Sequence, residues 1–168
     1  MDHPYPSLTQ NYHHEIELVV ALQSGGRQIS SGKALEHVYG YAVGLDMTRR
    51  DLQRALAEQK KPWELGKSFD NAAPIGPIHS ASKIGHLTKG KIQLRVNGAV
   101  KQDADLSHMI WSVAEQISNL SEAFELKAGD LIYTGTPENV GSVTGGDVLQ
   151  GYIEGLSILS LRIIPSLA

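Results

Sequence analysis

His13-His14-Glu15-Ile16-Glu17-Leu18-Val19-Val20 sets an acidic pair into an apolar, β-branched run. From Glu15 to Leu22 this composition predicts a strand. Side chains alternate across a strand, so Glu15 and Glu17 share one face while Ile16 and Leu18 share the other. Two carboxylates side by side repel, and partial burial makes the repulsion worse. A divalent cation removes that penalty. A third carboxylate, Asp46, ends the strand-like run Tyr41-Ala42-Val43-Gly44-Leu45. An all-oxygen ligand set favours Mg²⁺, Mn²⁺ or Ca²⁺ over Zn²⁺. On spacing alone the Glu15/Glu17 pair reads as a solvated strand face; the rest of the chain reverses that reading.

Outward from this stretch, residues 1–12 are polar with two prolines and read as an irregular lead-in. Ser30-Ser31-Gly32-Lys33 offers a helix N-cap for a short helix ending near Gly40. Residues 51–61 have helix-forming composition and stop before Pro62. Residues 66–77, rich in Gly, Pro, Asn and Ser, read as a loop. Ile92 to Val96 alternates apolar and polar, and Asn97-Gly98 follows at once, which predicts a hairpin returning over Val100 to Asp103. Ser107 to Leu120 is helical in pattern, with Ile110, Val113, Ala114 and Ile117 on one face. Residues 130–133, 148–153 and 158–163 are strand-like, with glycines between them. There is no repeating βαβ series and no internal repeat. Many strands, few helices and frequent glycine turns predict an α+β domain on a mixed β-sheet.

With 168 residues the chain reads as one domain. An apolar fraction of 41% lies far above the disordered range. A net charge of -3 without a basic block lacks the footprint of a nucleic-acid binder. The absence of cysteine excludes a disulfide scaffold and thiolate metal sites. No apolar run reaches membrane-spanning length, and the first residues lack the regions of a signal peptide. Together these features fit a cytoplasmic protein that neither spans a membrane nor binds nucleic acid.

Taken in order, several segments resemble the fumarylacetoacetate hydrolase family. They are His14 to Val20, Gly40-Tyr41 to Asp46, Arg50-Asp51-Leu52-Gln53, Lys67-Ser68-Phe69-Asp70, Pro74-Ile75-Gly76-Pro77, Val96-Asn97-Gly98, Gly129-Asp130 and Thr134-Gly135-Thr136-Pro137. Each piece alone is weak; the ordered set, spanning most of residues 12–164, is specific. His13-His14-Glu15-Ile16-Glu17 with Asp46 to Asp51 looks most like the fumarylpyruvate hydrolase branch. The resemblance implies a β-roll-like α+β fold, a homodimer, and a Mg²⁺ or Mn²⁺ ion held by Glu15, Glu17 and Asp46. It further implies cleavage of a carbon–carbon bond in a dioxo acid, with fumarate and pyruvate as the products in that branch.

The residue types suit that chemistry. A 2-oxo acid offers a carboxylate and a ketone oxygen to one metal, and hydrolysis drives off its pyruvate part as an enolate. A cation at that oxygen stabilises the developing charge. By the resemblance Lys67 adds positive charge at the same place; alone it reads as a solvated loop lysine. Arg50 and Gln53 are three apart and share a helix face if the helix has begun there. Arg50 is placed in the site, where it grips a substrate carboxylate, and Arg49 on the surface; without the family pattern both read as a basic helix start pairing with Asp46 or Asp51. Thr136 is implied to contact the substrate carboxylate through its hydroxyl and backbone amide, although the same sequence fits a plain strand-end turn.

The chain departs from the pattern in places. Glu138-Asn139 follows Pro137 where small residues are usual, and Asn71 stands where threonine is usual. Trp63 and Trp111 read as packing residues, and His79, His86 and His108 show no ligand spacing. Relatives carry, ahead of Tyr5-Pro6, a segment with a His and a Glu on a mobile lid, which together activate the attacking water. Their absence here leads to an expectation of a metal and ligand platform with weakened or absent hydrolysis. His13 is the candidate substitute base, since a strand extended back from Glu15 puts it on the face of Glu15 and Glu17. Two other readings stay open: a 2-oxo diacid decarboxylase or tautomerase, and a non-catalytic binder of metal and oxo acid.

Overall fold

The computed structural model describes residues 1–165. Twelve strands run in chain order: β1 (Asp2–Pro4), β2 (Tyr12–His14), β3 (Ile16–Leu22), β4 (Val38–Leu45), β5 (Thr48–Arg49), β6 (His79–Ser80), β7 (Lys91–Val96), β8 (Ala99–Asp105), β9 (Leu131–Tyr133), β10 (Gly141–Val143), β11 (Val148–Ile153) and β12 (Leu159–Ile164). Four short helices interrupt them: α1 (Ser31–Ala34), α2 (Arg50–Glu58), α3 (Ala81–Ile84) and α4 (Val113–Ala123). The α+β class holds, but the strands divide among three sheets, ordered β1-β12-β11-β7-β8, β10-β2-β5 and β6-β4-β3-β9. Almost every pairing is antiparallel; β1 with β12 is parallel, which makes the first sheet mixed.

The core explains the sequence pattern. β3 is buried along its whole length, and Ile16, Leu18 and Val20 pack into the main apolar cluster with Tyr41 and Val43 of β4. Leu94 and Val96 of β7, Leu149 and Ile153 of β11, and Leu161 and Ile163 of β12 enter the same cluster from the five-stranded sheet, so all of these strands alternate inward and outward residues. Asn97 and Gly98 both take positive φ, 51° and 81°, the geometry of a two-residue hairpin turn that matches strand twist.

Several expectations shift. The lead-in is not irregular throughout: β1 joins the sheet through Asp2↔Arg162 and His3↔Ile163. The helix expected to reach Gly40 ends at Ala34, a 3₁₀ turn follows over Leu35–His37, and β4 begins at Val38. The helix expected from Ser107 starts at Val113. Ser112 caps it with Glu115 in a reciprocal capping box, and Ser107 instead sits in a 3₁₀ turn capped by Asp105. Ile110 therefore precedes the helix and is 95% exposed rather than buried. Trp63 and Trp111 are about half exposed rather than packed, at 46% and 50%.

Gly44 of β4 faces the close approach of Val19 and Tyr133. A Cβ there would lie 2.4 Å from Val19 Cγ2 and 2.7 Å from Tyr133 Cε1. Gly44→Ala is expected to destabilise the protein by about 1–3 kcal/mol through overpacking. Denaturant unfolding checks this, and an unchanged midpoint would contradict it.

Candidate metal centre and active site

Sheet pairing builds the site before any side chain is considered. Ile16↔Leu45 ends the β3–β4 ladder, and His13↔Thr48 belongs to the β2–β5 ladder of a different sheet. Between these two ladders Glu15 and Asp46 are the joint, and the Asp46 N–H donates to the Glu15 carbonyl at 2.8 Å. Glu17 faces Gly44 across the β3–β4 ladder. The three carboxylates thus meet where the two sheets part, and one oxygen of each lies within 4.8 Å of the others. Glu15 and Glu17 are 6% and 3% exposed, so the solvated-face reading fails.

The loop expected at residues 66–77 supplies the positive counterpart of these carboxylates. It lies along β4, with the Leu45 N–H donating to the Pro74 carbonyl and the Met47 N–H to the Ala72 carbonyl, both main-chain contacts. Lys67 Nζ thereby reaches Glu15 Oε2 at 2.7 Å and Asp46 Oδ2 at 2.5 Å. Arg50 opens α2, pairs through Nη2 with Glu15 Oε1, and donates from Nη1 to Gln53 Oε1 at 2.6 Å. Arg50 and Gln53 share one face, as their spacing predicts.

Arg49 corrects an expectation. It is 8% exposed rather than on the surface. Its guanidinium lies 4.2 Å from the Phe69 ring centroid and donates to the Leu65 carbonyl at 3.2 Å. The last residue of β5 turns inward beneath the Lys67 loop, while the first residue of α2 turns toward the carboxylates. His13 requires a second correction. β2 and β3 are separate strands of separate sheets, so no continuous strand carries His13 onto the face of Glu15 and Glu17. His13 Nε2 bonds Asn11 Oδ1 at 2.9 Å, and Nδ1 is closed off from solvent without a partner. Burial, followed by the Arg50 charge, pushes its pKa down to about 4.

The loop after β9 closes the site from the other side. Gly135 takes φ 96°, a left-handed conformation that favours glycine, and its N–H donates to Glu17 Oε2 at 2.8 Å. Thr134 anchors the same loop by donating from Oγ1 to the Leu18 carbonyl at 2.9 Å. Gly135 and Thr136 form one wall of a cavity of about 690 Å³ whose other walls include Ala104, Met109, Trp111 and Gln116. Glu138, an exposed residue, stands at the edge of this cavity.

Burial raises the Glu17 pKa to about 7, against the pull of the Gly135 N–H, and nearby Asp46 and Glu15 raise it further. Burial also raises that of Asp46, with Lys67 opposing. Crowded, buried, oxygen-only donors fit a hard divalent cation. In metal-free protein Glu17 titrates near 7, above its unfolded value of 4.5, so the folded state holds the extra proton. Its contribution to stability is full below pH 4.5 and is lost as pH rises to about 7, a change of about 3 kcal/mol. The melting-temperature gap between Mn²⁺-loaded and chelated protein is therefore expected to widen from pH 5 to pH 8; a constant gap would contradict this.

Comparison with known proteins agrees with the geometry. Residues 2–164 match the family described as "Fumarylacetoacetate (FAA) hydrolase C-terminal". The chain belongs to the fumarylacetoacetate hydrolase family, and it is an enzyme of that family. Among its relatives, a fumarylpyruvate hydrolase of Ralstonia sp. is 44% identical over 162 residues, covering 96% of this chain and 84% of the relative. A mitochondrial oxaloacetate tautomerase of Homo sapiens is 38% identical over 158 residues, covering 94% of this chain and 72% of the relative. The crystal structure of a fumarylpyruvate hydrolase from Pseudomonas aeruginosa in complex with Mn²⁺ and pyruvate superposes with a TM-score of 0.97 at 53% identity, covering 99% of this chain and 71% of that one. No helix among the described residues is long and apolar enough to cross a membrane.

Sequence reasoning missed Gln102, which is wholly buried next to the site. Its signal was available. In the return strand Lys101 and Asp103 alternate with Gln102 and Ala104, so a polar amide falls on the inward face; Val100, 44% exposed, does not share that face, because the β7–β8 pairing shifts register between Leu94 and Arg95.

Proposed function

We propose that this chain is a Mg²⁺- or Mn²⁺-dependent hydrolase of acylpyruvates that cleaves fumarylpyruvate to fumarate and pyruvate. The observation that carries the reading is the convergence of Glu15, Glu17 and Asp46 with Lys67 held between two of them. It is supported by the 53% identical fumarylpyruvate hydrolase that was crystallised with Mn²⁺ and pyruvate.

Glu15, Glu17 and Asp46 are the residues that would hold the ion. Once bound, a divalent cation supplies Lewis acidity at the carboxylate and ketone oxygens of a 2-oxo acid. Lys67 adds an ammonium beside the oxygen on which enolate charge develops, in a buried setting where such charge stabilisation is strong. Arg50 grips a substrate carboxylate with its planar fork, giving up part of its pairing with Glu15, and Gln53 keeps the fork oriented. Thr136 contributes its hydroxyl to the carboxylate on the other side. Water's oxygen joins the acyl carbon with one hydrogen, giving the new carboxyl group of fumarate, and its other proton ends on the pyruvate methyl carbon once the carbon–carbon bond has broken. The homodimer implied by the resemblance is part of the same proposal, and sedimentation velocity tests it.

The test is loss of fumarylpyruvate absorbance with purified protein and Mn²⁺ or Mg²⁺, with a chelator control and coupled detection of pyruvate. Chelator-sensitive loss matched by pyruvate is the expected result. Intact fumarylpyruvate in the presence of metal-loaded protein would overturn it. A second reading, interconversion of the keto and enol forms of oxaloacetate, is favoured by the 38% identical tautomerase. It needs the same enolate stabilisation but no attacking water, and the products separate the two readings: fumarate and pyruvate, or an isomer alone.

A further inference from the structure

Gln102 lies on β8 with no exposed surface. A primary amide has an acceptor side and a donor side, and here both are fully used. Oε1 accepts from the Ile16 N–H at 3.1 Å and bonds His14 Nδ1 at 3.0 Å. These two residues flank Glu15. Nε2 donates to Thr136 Oγ1 and to the Pro137 carbonyl, each at 2.9 Å, with the Glu138 carbonyl at 3.4 Å. The amide's orientation is settled by its partners, because the Ile16 N–H can only donate and the Pro137 carbonyl can only accept. One side chain therefore ties the joint that presents Glu15 to the loop that presents Thr136. The same loop touches the carboxylates directly at the Gly135 N–H, which donates to Glu17.

The bond to Thr136 has a further consequence. A hydroxyl has one hydrogen and two lone pairs. With Gln102 occupying a lone pair, the hydroxyl hydrogen is left to be donated elsewhere, and a carboxylate can only accept. We propose that Gln102 is a positioning residue: it sets the spacing between the carboxylate cluster and the residue 134–138 loop and commits the Thr136 hydroxyl to donate to the carboxylate of a bound 2-oxo acid. The inference rests on the functional reading above and concerns its substrate-carboxylate contact.

The experiment measures Mn²⁺ affinity, and then pyruvate affinity of the Mn²⁺-loaded protein, by calorimetry for wild type, Gln102→Met, Thr136→Val and the double variant. Gln102→Met keeps the side chain's length and removes both sides of the amide. Pyruvate affinity is expected to fall about 10-fold or more, from the loss of an oriented donor to a charged group, while Mn²⁺ affinity stays within about 3-fold. The double variant is expected to bind pyruvate no more weakly than the weaker single variant, because Gln102 acts through Thr136. Additive losses, or Mn²⁺ and pyruvate affinity falling together, would overturn the proposal. If Gln102→Met does not fold, Gln102→Glu carries the same measurements, since it keeps the Oε1 acceptor and loses the amide donors. Turnover has no part in this readout, so a protein that binds Mn²⁺ and pyruvate but leaves fumarylpyruvate intact counts against the proposed function alone. Wild-type protein that binds Mn²⁺ without pyruvate overturns the role of Gln102.

Discussion

Asp46→Ala is expected to lower Mn²⁺ affinity by at least about 10²-fold and fumarylpyruvate turnover by about 10²–10³-fold, with the fold intact. The position makes this variant informative. Asp46 directly follows β4, and its side chain is 29% exposed, so its removal leaves no cavity in the core. The main-chain bond from Asp46 to the Glu15 carbonyl survives the substitution. What is lost is one of three oxygen donors and one of the two carboxylates that hold Lys67. Calorimetric titration with Mn²⁺ and the coupled pyruvate assay check the two parts separately. Near-normal Mn²⁺ affinity in Asp46→Ala would remove Asp46 from the metal site and break the three-carboxylate reading.

Lys67→Met is expected to act in the opposite sense on binding and in the same sense on turnover. Lys67 Nζ sits against Glu15 Oε2 and Asp46 Oδ2, oxygens of two of the three clustered carboxylates. In the metal-free protein it is their counter-charge, and a dication must displace or tolerate it. Methionine keeps the length and removes the charge. Mn²⁺ affinity is therefore expected to hold or tighten, while kcat falls by about 10²–10³-fold because the second positive charge beside the enolate oxygen is gone. The chelated variant is also expected to lose about 1–3 kcal/mol of stability: breaking a buried pair is costly, but the 20% and 29% exposure of these partners lets solvent screen part of it. A collapse of Mn²⁺ affinity in Lys67→Met would show that the lysine builds the platform rather than competing for it.

Much of the site was legible because its residues sit where local patterns are strongest. Glu15 and Glu17 stand out in an apolar strand, Asp46 falls at a strand end, and Asn97-Gly98 announces its hairpin. Arg49 was misplaced because adjacent arginines differ only in which way the backbone turns between β5 and α2, and that turn depends on Phe69 and Leu65, reached through the fold. Ile110 was placed on a helical face because apolar spacing extended past the true start, whereas the Ser112–Glu115 capping box was the stronger local signal. His13 was aligned with Glu15 by assuming one strand where the chain crosses from one sheet to another.

The sequence by itself determined the α+β class, the longer strands and their apolar faces, the oxygen-donor chemistry of the acidic trio and, through the order of its motifs, the family. These follow from periodicity, turn chemistry and residue type, all of which act over a few neighbours in the chain. Only the tertiary structure decided that the two carboxylate-bearing segments meet between two sheets, that Glu17 is buried enough to titrate near 7, that Lys67 lies between Glu15 and Asp46, and that Gln102 spans from the Glu15 joint to Thr136. Each of these depends on pairing between residues 21 to 118 positions apart. Burial, pKa and hydrogen-bond partnership are set by what long-range pairing brings near, and no local pattern records that.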